Sequence, residues 1–259
     1  MKSSIESNQK TPGTRPEGTR DEREAAERVQ NMFARIAPRY DFLNHLLSFS
    51  LDRLWRARAA QIFRHILQRP DARVLDLCCG TGDLAVAFDR VRAYAAAPIV
   101  GADFVEPMLV RAQAKTRRAS SRHAVFVVAD ALKLPFPDAT FDLVAAAFGF
   151  RNLANYELGL REITRVLKPN GEAGILEFSE PGSGVMAAAF RFYFRQILPR
   201  VGGAISGSSE AYAYLPASVA KFPSAEELAA LMEECGFADA RFQAWNFGSV
   251  VLHRGKRRS

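Results

Sequence analysis

The chain has little of what would tie a fold together covalently or set it in a membrane. Its three cysteines, two of them adjacent (Cys78, Cys79) and the third at Cys235, make neither a disulfide framework nor a metal-ligand spacing, so reduced thiols and no metal are expected. No apolar run approaches the ~20 residues that a membrane-spanning helix needs. The opening "MKSSIESNQKTPGTRPEGTR" lacks the apolar stretch of a signal peptide, which predicts a cytoplasmic protein. There is no internal repeat. Histidine is scarce, at four residues: His65 and His253 read as structural, and His45 as a minor base candidate.

Acid is missing from two places. "RAQAKTRRASSR" (Arg111 to Arg122) carries five cations and "HRGKRRS" at the C-terminus four, which more than accounts for the net charge of +7. Such runs fit RNA, anionic lipid, or a merely solvated helix face and frayed tail.

What is present is enough for a full core, with 48% hydrophobic content in 259 residues. Residues 1–25 are polar with Pro, Gly and Ser/Thr, and are expected to be a disordered tail. Residues 26–259 read as one domain. Within it, 26–70 hold two or three helices broken at Pro38, forming a lid, and 71–180 alternate short β-rich runs with helical stretches. The order predicts an α/β fold with a doubly wound, mostly parallel sheet and ligands at the carboxyl ends of its strands. Residues 181–223 are an insertion whose "MAAAFRFYFRQILPR" has three arginines and no acid, read as a helix over the substrate. Residues 224–259 begin with a helix, Ser224 and Glu227 forming its capping box and Gly236 its stop, and end in an antiparallel hairpin.

"LDLCCGTGD" (Leu75 to Asp83) marks the ligand site. Gly80, Gly82 and Ala85 fit G-x-G-x-x-A, and Asp103 follows about 20 residues later, as in a dinucleotide site. Charge argues against pyrophosphate. Asp76 and Asp83 flank the turn, and Asp103 and Asp130 end the next two strands, so an acidic cleft faces the ligand. S-adenosylmethionine, a nucleoside with a sulfonium and an ammonium and no phosphate, suits it. Backbone at Gly80 to Gly82 admits the methionine part, Thr81 adds a hydroxyl, and Asp76 serves the ammonium directly or by ordering the loop. Asp103 is placed for the ribose hydroxyls, and Asp130 with the Ala131 backbone for adenine.

"YDFLNHLLSFSLDRLW" (Tyr40 to Trp55), "FGFRN" (Phe148 to Asn152), "RVLKPNGEAGILEFSEP" (Arg165 to Pro181) and "GSVVLHRG" resemble the ubiquinone/menaquinone biosynthesis C-methyltransferase family over nearly all of residues 28–255. That resemblance implies a class I, Rossmann-like methyltransferase fold and methyl transfer from S-adenosylmethionine to a ring carbon of a reduced polyprenyl quinone precursor. Demethylmenaquinol is the first candidate and a methoxy-benzoquinol the second. Three positions depart from the family pattern. Cys78 stands where class I proteins commonly have a first glycine, Asp52 where many members have histidine, and Asn170 where a glycine is usual; Asp52 is given no catalytic role, and Asn170 tolerates a left-handed turn.

A quinol carbon becomes nucleophilic as its hydroxyl loses a proton, so the acceptor side must stabilise negative charge on oxygen. Arg151 and Asn152, after the fourth strand, are placed to do so, and Tyr40 to relay or accept a proton. Each has a plainer reading, a packed aromatic for Tyr40 and a surface ion pair for Arg151. The partner expected is a polyprenyl quinol at a membrane surface, with peripheral contact at the inner face and a homodimer both allowed and no nucleic acid. Two other classes stay open: an RNA methyltransferase, which predicts salt-sensitive RNA binding, and a donor-binding regulator that never turns over.

Overall fold

A computed structural model describes residues 13–93, 97–118, 124–182, 184–197, 200 and 209–259. Helices α1 (Glu22–Ile36), α2 (Tyr40–Leu47), α3 (Leu51–Ile62) and the single turn α4 (Arg64–Leu67) come first. The break expected at Pro38 is a 3-10 turn over Ala37–Arg39. Strand β1 (Val74–Leu77), α5 (Asp83–Asp89), β2 (Ile99–Asp103), α6 (Glu106–Arg118), β3 (Ala124–Val128), β4 (Phe141–Ala147), α7 (Tyr156–Val166) and β5 (Leu167–Phe178) make the alternating core. Then follow α8 (Val185–Phe192), running into a π-turn over Tyr193–Ile197, α9 (Ser209–Lys221), α10 (Ala225–Glu234), β6 (Phe237–Trp245) and β7 (Val250–Arg257).

The seven strands form one sheet in the order β3-β2-β1-β4-β5-β7-β6. The first five are parallel, and β7 pairs antiparallel with both β5 and β6. Strand order reverses between β1 and β4, the place where such sheets open a crevice beyond their carboxyl ends. The alternation of a pleated strand sets the two faces. Leu75 and Leu77 of β1 pack with Leu160 and Ile163 of α7 and Met232 of α10. Val74 packs on the other side with Trp55, Ala59 and Phe88. Asp76, two residues on from Val74, therefore points toward α3 and α5.

The helix after the insertion is capped as expected: Ser224 Oγ accepts from Glu227 N–H and the Glu227 carboxylate from Ser224 N–H. Asn170 has a left-handed backbone, with φ of +62°.

Two expectations are corrected. The disordered tail does not extend through residue 25. Thr14 is buried and its N–H donates to the Leu153 carbonyl at 2.8 Å, α1 starts at Glu22 on its Asp21 cap, and only residues 1–12 lie outside the description. The basic C-terminus is not a frayed tail either. Its Arg254, Gly255, Lys256 and Arg257 are strand residues of β7, and Lys256 pairs with Glu172 of β5, which itself lies beside Leu143 near the start of β4. This puts those cations at the opposite end of the sheet from the crevice. Of the other basic run, residues 119–123 lie outside the described residues, as do 183, 198–199 and 201–208 of the insertion.

The crevice depends on a close approach between the ends of β1 and β4. A Cβ on Gly149 would lie 2.5 Å from the Cys78 Cβ and 3.0 Å from its carbonyl oxygen. Replacing Gly149 by Ala should cost about 1–3 kcal/mol, as overpacking does. Urea unfolding is expected to show a lower midpoint with an unchanged slope.

Candidate functional site

The β1 end turns through a strained loop. Cys78, Gly80 and Gly82 have φ of +53°, +52° and +80°, so the position where a first glycine was expected does need the left-handed backbone, and Cys78 adopts it against its preference. The turn borders a cavity of about 380 Å³. Asp76, Gly80, Thr81, Asp103, Asp130 and Ala131 all line it, as do Tyr40 and Asn152. Gly82 shapes the turn without lining the cavity, and Arg151 lies elsewhere.

The carboxyl groups in this cavity are held almost entirely by backbone. Asp76 Oδ2 accepts from Ala85 N–H at 2.9 Å, while its Oδ1 is buried with no partner. Burial pushes its pKa up to about 8, against the pull of the Ala85 hydrogen bond. Asp103 accepts from Gly80 N–H at 2.8 Å and from Val105 N–H at 2.9 Å, and burial raises it to about 6. Asp130, more exposed, accepts from Leu132 N–H at 2.9 Å.

Asp83 is different. Burial acts to raise its pKa, but Arg56 and Lys115 outweigh that and hold it below the usual value. Lys115 Nζ reaches Asp83 and Asp41 at 2.7 Å each and donates to Thr81 Oγ1 at 2.9 Å. Thr81 in turn donates to Asp41 at 2.5 Å. Its hydroxyl is thus engaged in tying α2 of the lid to the loop. Asp52 is a buried hub in the same lid, accepting from Arg56 at 2.6 Å and Ser48 at 2.7 Å, with His45 Nδ1 at 2.9 Å. His45, Asp52 and Asp83 bring three metal-ligating atoms within 4.8 Å of one another. Arg56, 2.6 Å from Asp52 and 4.0 Å from Asp83, already supplies positive charge there.

A second cavity of about 360 Å³ adjoins the first, and Phe33, Tyr40, Arg56 and Phe148 line both. Its walls are mainly apolar, with Met32 and Ile36 of α1, Trp55 of α3, Phe178 at the end of β5, and Tyr193 and Tyr214 of the insertion. Arg151 lines this cavity and not the first. Its Nη1 donates to Glu177 at 2.9 Å and to the Phe148 carbonyl at 2.5 Å, while its Nε has no partner. The ion-pair reading of Arg151 is therefore correct, except that the pair is buried: Arg151 and Glu177 are 5% and 1% exposed. Asn152 accepts from Tyr214 Oη at 3.1 Å, and Tyr214 Oη lies 2.9 Å from Thr14 Oγ1. Tyr40 stands between the cavities, its pKa raised by burial against the opposing charge of Arg151 and a hydrogen bond with Asn44.

Sequence reasoning missed Arg56, Asp41, Glu177 and the dividing ring of Phe148. The first two sit in the lid stretch at Asp52–Arg56 helical spacing and beside Tyr40, which was a usable signal. Phe148 has φ of +62° and stacks 4.7 Å from Phe178, and nothing in a lone Phe announces that.

Residues 21–257 match the ubiE/COQ5 methyltransferase family. The chain is 48% identical over 226 residues to the demethylmenaquinone methyltransferase of Thermus thermophilus, covering 87% of this chain and 100% of that one. It is 47% identical to the Deinococcus radiodurans protein of the same name, covering 92% and 96%. The ubiquinone/menaquinone biosynthesis C-methyltransferase of Geobacter sulfurreducens is 45% identical, with 90% of each chain covered. Among solved structures, a Thermotoga maritima methyltransferase dependent on S-adenosylmethionine superposes with a TM-score of 0.59 at 18% identity, over 88% of this chain and 99% of that one. An Aquifex aeolicus methyltransferase gives 0.55, also at 18%, over 76% and 88%. Both share the fold.

The buried, unpartnered carboxyl makes a testable demand on stability. The folded pKa of Asp76, about 8, lies above the ~4 of an unfolded aspartate. The fold therefore favours the proton, and stability is lost as pH rises from about 4 toward 8. Asp76→Asn keeps an acceptor for Ala85 N–H and removes the charge. In urea titrations without ligand the variant is expected to be more stable than the parent at about pH 8, with the difference shrinking toward about pH 5.

Proposed function

The chain belongs to the ubiE/COQ5 methyltransferase family, and from that premise we propose that it methylates a ring carbon of a reduced polyprenyl quinone precursor, demethylmenaquinol, with S-adenosylmethionine as the methyl source. The observation that carries this reading is a pair of adjoining cavities of opposite character: one with unpaired carboxylate, the other apolar, divided by Tyr40 and Phe148.

The donor, when bound, supplies an electrophilic methyl on a positively charged sulfur. The first cavity fits such a molecule because Asp76 Oδ1 is a buried acceptor without a partner. In this reading Asp76 takes the ammonium, Asp103 the ribose hydroxyls, and Asp130 with Ala131 the adenine edge. The backbone from Gly80 to Gly82 lets the methionine part lie close. Thr81 orders the lid against that loop.

On the acceptor side the protein must favour an oxygen anion and keep water out. Tyr40, whose pKa burial raises, remains a neutral phenol near neutral pH and acts as a hydrogen-bond donor to the ring oxygen. Arg151 contributes its charge and its free Nε–H, with Glu177 fixing its position. Asn152 borders the first cavity, with Tyr214 holding its side-chain oxygen. Aromatic walls exclude water, which strengthens each of these interactions. No metal enters this scheme. The isoprenoid tail brings the enzyme to the inner face of the cytoplasmic membrane as a peripheral visitor; no helix among the described residues is long and apolar enough to cross a bilayer.

An oxidised ring has no hydroxyl proton to give and is electron-poor. Labelled methyl is expected to pass to a demethylmenaquinone analogue only when a reductant is present, and transfer to the oxidised ring would refute the scheme. Asp103→Asn removes a charge-assisted acceptor and should weaken donor binding by ~1–3 kcal/mol. Calorimetry with unchanged donor affinity would take Asp103 out of the donor site.

A further inference from the structure

Two rings at the mouth of the apolar cavity are in a state that packing within the protein does not explain. Phe49, in the turn between α2 and α3, is 75% exposed, and Phe247, in the turn between β6 and β7, is 74% exposed. Both line the second cavity. Both also have left-handed backbone, with φ of +52° and +60°, a region that bulky side chains rarely occupy. Strain and solvent exposure coincide at two turns unrelated in sequence. Such coincidences mark functional positions, and large rings rimming an apolar opening mark a surface made to be covered.

The surroundings indicate what covers it. Phe42 and Leu46, one turn apart on α2, are exposed, and so is Phe192 at the end of α8. The Phe49 ring lies 5.8 Å from Tyr193, which joins the α2–α3 turn to the insertion. Cations accompany these rings. Arg53 is exposed on α3, two residues past the cavity-lining Leu51. Arg58 lies 4.7 Å over the ring of Trp245, at the foot of the turn that holds Phe247. Projecting aromatics with a fringe of arginines match the boundary between acyl chains and anionic headgroups.

We propose that this rim is a bilayer-docking surface, with Phe49 and Phe247 entering the leaflet at the cavity mouth and Arg53 and Arg58 meeting anionic lipid. The inference rests on the quinol reading for its purpose: a tailed substrate then passes from leaflet to cavity without crossing water. The basic end of β7 takes no part, since it lies at the other end of the sheet.

The test uses vesicles free of any quinone, so that it stands apart from the methyl-transfer assay. The full-length parent is expected to float with vesicles containing phosphatidylglycerol, and high salt should weaken the binding without abolishing it. The double variant Phe49→Asn/Phe247→Asn keeps residues that tolerate the left-handed backbone. It should hold the parental thermal midpoint and donor affinity while vesicle partition falls by about 100-fold, the loss expected for two withdrawn aromatic anchors. Arg53→Gln should lower the salt-sensitive part alone. Phe247→Trp gives a direct reading, because Trp55 and Trp245 are buried: quenching by lipid brominated in its acyl chains is expected. A parent that ignores vesicles overturns the proposal, and so does a double variant that binds them as well as the parent. A parental dimer that the double variant dissociates, with no vesicle binding, also overturns it and assigns the rim to a second copy of the chain. Failure of methyl transfer with vesicle binding intact would instead count against the quinol reading alone.

Discussion

Two carboxyl groups buried without an ion pair among the described residues govern this molecule. Asp76 and Asp103 lie at the ends of adjacent strands, are buried, and accept hydrogen bonds from backbone N–H groups. Desolvation of that kind is tolerated either by keeping a proton or by waiting for a cation. The arrangement of the rest follows from it. The glycine turn must bend sharply so that the Gly80 N–H can reach Asp103. Gly149 must lack a side chain so that β4 can close beside Cys78. Asp83, by contrast, is neutralised by Lys115 and Arg56, and these two cations join the lid to the loop. The cleft is thus divided between carboxyl groups paired with cations, which hold it together, and carboxyl groups met by backbone.

Much of this was legible in the residues because it depends on local pattern. Alternating strand and helix signals give the parallel core, and the capping box at Ser224 and Glu227 marks α10 within a residue. Aspartates at the ends of β1 and β2 declare themselves by position, since topology puts every such end on one crevice. Asn170 declares its turn because few other residues take that backbone readily. What sequence pattern could not reveal is partnership at a distance. Periodicity says that Arg56 lies one turn from Asp52; it does not say that both are buried or that Lys115, far along the chain, completes the network. The same limit hid the strap at Thr14, whose small polar neighbours resemble a loose tail until Leu153 supplies the acceptor. The basic C-terminus misled for the opposite reason: cations usually mark solvent, and here they continue a strand whose first four residues, Val250 to His253, are all buried.

The second cavity is less regular because it is assembled from lid helices, insertions and turns rather than from the repeating core. Tyr40, Phe148, Arg151 and Tyr214 come from four separate elements, and each has ordinary reasons to exist. Only their convergence, with Phe148 and Cys78 both in unfavourable backbone regions, marks the place as one shaped for chemistry.

The placement of β7 between β5 and β6 also sets a schedule. Strand β6 is made before β7, yet its only sheet neighbour is β7. During synthesis the parallel core, with the aspartate ends and the glycine turn, is complete in sequence long before the sheet is. Until β7 has been made, β5 presents an open edge and β6 has nothing to pair with, the condition in which nascent chains associate wrongly. A chain interrupted before β7 would hold most of its cleft and no finished edge.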